Sequence, residues 1–98
     1  MIYSISDLEL NTDTSEVFRG VKKISLTKQE FKLLQLLLKR MGTELSREEI
    51  LSHLWHAETK MKTRIVDVYV GYLRRKIDKG CELKLIRTIR GMGYMISD

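Results

Sequence analysis

Thr63-Arg64-Ile65-Val66-Asp67-Val68-Tyr69-Val70-Gly71-Tyr72-Leu73-Arg74-Arg75-Lys76-Ile77 is the stretch on which the reading of this 98-residue chain turns. Val66, Val70, Leu73 and Ile77 recur at i, i+4, i+7 and i+11, the spacing that gathers apolar side chains into one stripe of an α-helix. At about 100° per residue the stripe spans roughly ±40°. Arg64, Val68, Gly71 and Arg75 fall opposite it, Tyr69, Tyr72 and Arg74 lie on its flanks, and Asp67 and Asp78 stand at the edge of the outward face. A helix is predicted over about 63–79, with Thr63 as its N-cap and Gly80 as its stop. Guanidinium forks fit guanine edges and phosphates, tyrosine hydroxyls fit phosphates, and a valine can meet a thymine methyl. A glycine midway along an exposed helical face costs about 1 kcal/mol relative to alanine, a cost that close approach of another backbone would explain. The same side chains also suit a surface helix whose polar face is only solvated.

Working outward, residues 83–96 alternate as a β-hairpin, with Gly91 and Gly93 expected to supply the positive φ of its tip. Arg87 and Arg90 flank Ile89. An arginine beside a glycine-rich tip is placed to enter a narrow minor groove, where the negative potential is enhanced. Upstream, Thr27 and Glu30 form a capping box that opens a helix carrying Phe31, Leu34, Leu38 and Met41, with Gly42 as its stop. Ser46 and Glu49 form a second box, opening a shorter helix with Ile50, Leu51, Leu54 and Trp55 on its apolar face. Trp55 is expected to pack its ring inward and turn its N–H outward. Residues 56–62 lack a period and read as a loop. Residues 2–26 alternate in three short antiparallel strands, broken at Asn11-Thr12-Asp13 and at Gly20. The order is strands, three helices, hairpin, with the last helix basic. That is the α+β winged helix-turn-helix plan.

Length and charge narrow the function. A chain of 98 residues is one domain, 1–98, with room for one modest core. At 43% hydrophobic and 32% charged it reads as a folded globule rather than a disordered tail. No apolar run nears the ~20 residues of a membrane span. The first residues lack the basic and apolar regions of a signal peptide. The single Cys81 rules out an internal disulfide and suits a reducing compartment, so a cytoplasmic location is expected. Residues 60–98 carry 10 basic and 4 acidic groups, whereas residues 1–59 carry 8 and 9. Positive charge gathered in one part of a chain points to a face that meets a polyanion, or to a solvated basic face.

Catalysis finds little support. His53 and His56 form an i, i+3 pair without a third ligand at a recognisable spacing, Cys81 follows a turn glycine, and Ser46 is accounted for by capping. No glycine-rich phosphate loop occurs. No catalytic residue, metal or cofactor is therefore expected. Aromatic residues make up 7% of the chain, too few for the stacking platforms of RNA binders. The remaining rival is a protein-interaction winged helix whose basic face is incidental, and salt-dependent DNA affinity separates the two.

Five segments in order resemble the C-terminal effector domain of OmpR/PhoB-type bacterial response regulators. They are Leu26-Thr27-Lys28-Gln29-Glu30-Phe31-Lys32-Leu33-Leu34; Leu45-Ser46-Arg47-Glu48-Glu49-Ile50-Leu51 running on to Trp55; Thr63 to Val70; Leu73-Arg74-Arg75-Lys76-Ile77; and Ile86-Arg87-Thr88-Ile89-Arg90-Gly91-Met92-Gly93-Tyr94. The resemblance covers essentially the whole chain. It implies a winged helix with an N-terminal four-stranded sheet, the fourth strand being placed near Thr43-Glu44-Leu45. It implies binding of double-stranded DNA, as a head-to-tail pair of copies on direct repeats, and control of transcription through RNA polymerase. Arg64, Val68, Tyr69, Tyr72, Arg74 and Arg75 are then recognition-helix residues, Trp55 reaches a phosphate, and Thr88 and Arg90 belong to the wing. The loop 56–62 matches the segment that faces polymerase. Gly71 and Tyr72 stand where relatives often carry long basic side chains. His56 stands where glycine is common. No phosphoacceptor receiver domain lies in the chain: it is either an effector domain separated from its receiver, which is the expectation, or a protein that lacks one.

Overall fold

The computed structural model describes residues 1–55 and 63–98; the loop expected at 56–62, with its polymerase-facing role, lies outside them. Four short strands open the chain: β1 (Ile2–Ile5), β2 (Leu8–Asn11), β3 (Glu16–Arg19) and β4 (Lys22–Ile24). They form an antiparallel sheet in chain order. Three strands were expected, because Ile5, Leu8 and Leu10 read as one run. Instead the chain reverses at Ser6-Asp7, with Ser6 at φ 54° and Ile5 directly opposite Leu8. This tight turn contains no glycine, so its sequence lacks the usual hairpin signal.

Helix α1 (Lys28–Lys39) starts on the Thr27–Glu30 box, with both reciprocal bonds formed. Its buried side includes Leu33, Leu34, Leu37 and Leu38. Met41, expected to extend this stripe, lies past the helix end and is exposed. Gly42 takes φ +79° and donates its N–H to the Ile96 carbonyl at 3.0 Å. The Ser46–Glu49 box is also reciprocal and opens α2 (Arg47–Trp55). Helix α3 (Arg64–Ile77) buries all of Val66, Val70, Leu73 and Ile77. Thr63 does not cap it through its side chain. Its backbone is itself helical (φ −57°, ψ −15°), which denies the hydroxyl the capping geometry.

A second sheet corrects the placement of the fourth strand. The pair Leu45–Ser46, β5, joins the C-terminal hairpin β6 (Ile86–Ile89) and β7 (Gly93–Ile96) in the order β5-β7-β6, and takes no part in the N-terminal sheet. Gly93 is the reason the strands fit. A Cβ there would lie 2.0 Å from the Leu45 carbonyl oxygen. Its φ is not positive; of the two wing glycines only Gly91, at +78°, turns the tip.

Two buried ionic links tie the elements together. The Glu30 carboxylate, almost wholly buried, accepts from Lys76 Nζ at 2.6 Å and so joins α1 to α3. Burial pushes its pKa up, but the bonds from Lys76 and Thr27 outweigh burial and hold it below the usual glutamate value. Asp78, expected on the outward edge of α3, is instead buried against Arg19 of β3. Around these links Ile5, Leu8, Leu10 and Val17 of the first sheet meet the helices, and Leu85, Ile86, Tyr94 and Ile96 seal the hairpin to the same core.

Candidate nucleic-acid interface

Because the apolar stripe of α3 faces the core, the opposite side must face outward, and it does. Arg64, Val68, Tyr72 and Arg75 are exposed. Gly71 lies on that side with nothing within 4 Å of where a Cβ would stand. The Arg75 guanidinium sits 5.7 Å from the centre of the Tyr72 ring, a cation–π arrangement that leaves its N–H groups on the surface. Tyr69 is half-buried and meets Trp55 edge-on at 5.3 Å and Tyr72 at 5.4 Å. These three rings run from the end of α2 across α3. The body of Trp55 packs on the core, as expected of a side chain with one apolar and one polar end.

The wing is joined to this face through Arg74. Its Nη2 donates to Thr88 Oγ1 at 2.6 Å and to the Ile86 carbonyl at 3.1 Å. Arg74 thus spans from α3 to β6, and its guanidinium also lies 5.5 Å from the Tyr94 ring centre. Thr88 is exposed beside it, and Arg90 is exposed at the hairpin tip just before the left-handed Gly91. All nine residues singled out in the sequence are therefore described. Eight stand on α3, the wing or the strand beneath it, and Trp55 abuts them through Tyr69.

Sequence reasoning missed one cluster at the centre of this surface. Arg47, at the start of α2, donates through Nε to Asp67 Oδ1 at 2.6 Å. Tyr94 Oη donates to the same oxygen at 2.5 Å. The Arg47 guanidinium lies 5.4 Å from the Tyr94 ring, which therefore has two guanidiniums within cation–π range. Burial pushes the Asp67 carboxyl up, but bonds from Tyr94 and Arg47 win and hold it below the usual aspartate value. Burial and the Asp67 carboxylate push the Tyr94 hydroxyl above its usual value. Arg47 and Asp67 are 20 positions apart, so no periodicity joins them. The available signal was Asp67 itself, an acid on an otherwise basic face. His53, weighed as a ligand, bonds the Glu49 carbonyl of its own helix through Nδ1. Among the described residues no three His, Cys, Asp or Glu side chains gather as a metal site, and no helix is long and apolar enough to cross a membrane.

Known proteins share this fold. Residues 21–96 match the family model described as "Transcriptional regulatory protein, C terminal". The chain is 48% identical over 90 residues to the Bacillus subtilis uncharacterized transcriptional regulatory protein YkoG, covering 92% of this chain and 40% of that protein. It spans about two fifths of the length of the curated relatives it matches. Among solved structures, the response regulator DrrB, a Thermotoga maritima OmpR/PhoB homolog, superposes with a TM-score of 0.87 at 32% identity, over 99% of this chain and 44% of that one. The Klebsiella pneumoniae RstA DNA-binding domain, solved in complex with the RstA box, gives 0.87 at 27% identity, over 98% of this chain and 96% of its own. With its sheets, three helices and wing in the same order, the chain belongs to the C-terminal, DNA-binding family of OmpR/PhoB-type transcriptional regulators.

Proposed function

We propose that this domain is the output module of a two-component response regulator, reading duplex DNA with α3 in the major groove and the β6–β7 wing in the minor groove. One observation carries the reading. The four apolar residues of α3 are wholly buried while Arg64, Val68, Tyr72 and Arg75 project from its other side, and Arg74 fastens that helix to the strand that leads to Arg90. In this reading Arg64, Val68 and Tyr72 meet base edges, and Arg75, Tyr69 and Trp55 serve the phosphates. Thr88 and Arg74 hold the backbone between the grooves, and Arg90 enters the minor groove. Two copies bind head-to-tail on direct repeats, loop 56–62 meets RNA polymerase, and the protein works in the cytoplasm. The domain occupies residues 1–98, and phosphorylation of a receiver domain outside this chain controls it. The RstA complex supports duplex DNA as the ligand.

Selection from a random duplex pool tests the proposal directly. A defined motif with an A·T-rich flank is expected. Affinity for any duplex should fall linearly with salt on logarithmic axes, with a slope of about −0.9 per phosphate neutralised. A slope near zero, or an unenriched pool, rejects the reading in favour of a protein-interaction module.

A further inference from the structure

Neither Arg19 nor Asp78 belongs to the outward face, and the readout proposed above leaves both unused. Yet they are the two most deeply buried members of an ionic cluster at the root of the wing, 7% and 4% exposed. Asp78 follows the last turn of α3. Its Oδ1 accepts the Leu85 N–H at 3.1 Å and its Oδ2 the Ile86 N–H at 3.0 Å. Arg19 Nη1 donates to the same carboxylate at 3.2 Å and to the Ile77 carbonyl at 2.9 Å. Its Nη2 donates to Leu83 at 2.7 Å, and its Nε to Asp7 at 2.6 Å. One guanidinium from the N-terminal sheet thus grips both the end of α3 and the segment that leads into β6. Only the planar fork of an arginine reaches so many acceptors at once.

The cluster also holds the first residue of the wing. In the order β5-β7-β6, strand β6 is an edge with a ladder on one side only. At its first residue, side chains from α3 and its C-cap stand in for the missing neighbour: Asp78 takes the Ile86 N–H and Arg74 binds the Ile86 carbonyl. A cleft of about 380 Å³, lined by Arg74, Arg75, Asp78, Lys79, Lys84 and Ile86, opens beside the joint. On that side hydrogen bonds hold the Ile86 backbone, while its side chain and that of Leu85 pack into the core. Arg90 lies four residues beyond Ile86, about 13 Å at about 3.3 Å per residue. A tilt of about 10° at the root would then carry the tip about 2 Å, large against a minor groove about 6 Å wide.

We propose that Arg19 and Asp78 are positioning residues for DNA readout, fixing the angle at which the wing leaves α3 and so whether Arg90 reaches the minor groove while α3 is seated in the major groove. The inference rests on the two-groove reading. It makes a residue of the N-terminal sheet, which touches no DNA, a determinant of sequence preference.

The test is selection from a random duplex pool by the parent, Arg19→Met, Asp78→Asn, Arg90→Ala and the Asp78→Asn, Arg90→Ala double variant, each checked by a thermal melt. The bases read by α3 should be retained throughout. Preference for A·T flanks should fall about threefold to tenfold in Arg19→Met and Asp78→Asn, less than loss of the contact itself. The double variant should match Arg90→Ala, because a misplaced wing without its arginine has nothing further to lose. Arg19→Lys, which keeps the charge but not the fork, supplies the same readout if Asp78→Asn fails to fold. If folded Arg19 and Asp78 variants keep the parent's flank preference while Arg90→Ala loses it, the positioning role is wrong. If Arg90→Ala also keeps that preference, the two-groove reading falls and this inference with it.

Discussion

Arg90 stands exposed at a turn whose φ is set by Gly91. Among the described residues its side chain makes no hydrogen bond or ion pair to another part of the fold. Arg90→Ala should therefore melt like the parent yet lose about 1–3 kcal/mol of binding and its preference for A·T flanks. Arg74→Ala should behave differently, because Arg74 also bonds Ile86 and Thr88; loss of melting temperature should accompany loss of affinity. Glycines separate in the same way. Gly93→Ala forces a Cβ to 2.0 Å from the Leu45 carbonyl oxygen. It should destabilise by more than about 3 kcal/mol, since strand backbone cannot step aside. Gly71→Ala meets open space in a helix interior and should stabilise by about 1 kcal/mol. If Gly71 serves close approach to DNA, the same variant should bind more weakly while melting higher. Melting curves paired with binding isotherms check all four. The sequence pattern marked Gly93 only as a turn glycine, because contact with a strand almost fifty residues away leaves no local trace.

Helices proved more legible than strands, and the reason is physical. Both capping boxes formed as written, because their two bonds lie within four residues. The α3 stripe held over about three turns because burial of one face enforces its period. The N-terminal strands are at most four residues long, too few for alternation to separate one strand from a hairpin with a glycine-free turn. Asp78 was misjudged for a related reason: its helical angle was read correctly, but its partner Arg19 lies in another element. The exposure of Arg64, Tyr72 and Arg75 on the outward side of α3 was legible, and the Arg47–Asp67–Tyr94 cluster was not. The packing between α1 and α3 carries a pH prediction. Glu30 has its pKa lowered in the fold, so its bond to Lys76 stabilises fully above the unfolded value, near 4.3. That contribution is lost as pH falls through the depressed folded value. Glu30→Gln, which keeps an acceptor for the Thr27 N–H but no charge for Lys76, should cost about 1–3 kcal/mol at pH 7. The gap to the parent should close towards pH 3. Urea midpoints at pH 7, 5 and 3.5 measure it, and a gap that stays constant with pH would show that charge is not what Glu30 contributes.

At the scale of the whole molecule, shape and charge decide how copies can share a duplex. Residues 60–98 hold a net charge of +6 against −1 for the rest, so one end of the sequence seeks phosphate and the other does not. Two copies related by a twofold axis would meet through the same patch on each, setting like charge near the axis against like. A head-to-tail pair instead sets the basic part of one copy beside the slightly acidic remainder of the next, which is the arrangement Coulomb's law favours. The molecule measures 40 × 28 × 20 Å. One helical turn of DNA is about 34–36 Å, or 10–10.5 bp. Copies on repeats one turn apart therefore lie on the same face of the duplex and touch when their long axes run along it. Binding to two direct repeats should then be tighter than twice-independent binding. Inserting about 5 bp between the repeats turns the second site to the opposite face of the duplex and removes the contact, while inserting about 10 bp restores the face but not the contact. The expected outcome is joint binding at the native spacing and independent binding at both insertions, read from the steepness of the isotherm. A native-spacing isotherm no steeper than that of the half-turn insertion would reject the tandem arrangement and leave single-site recognition by α3 and the wing standing.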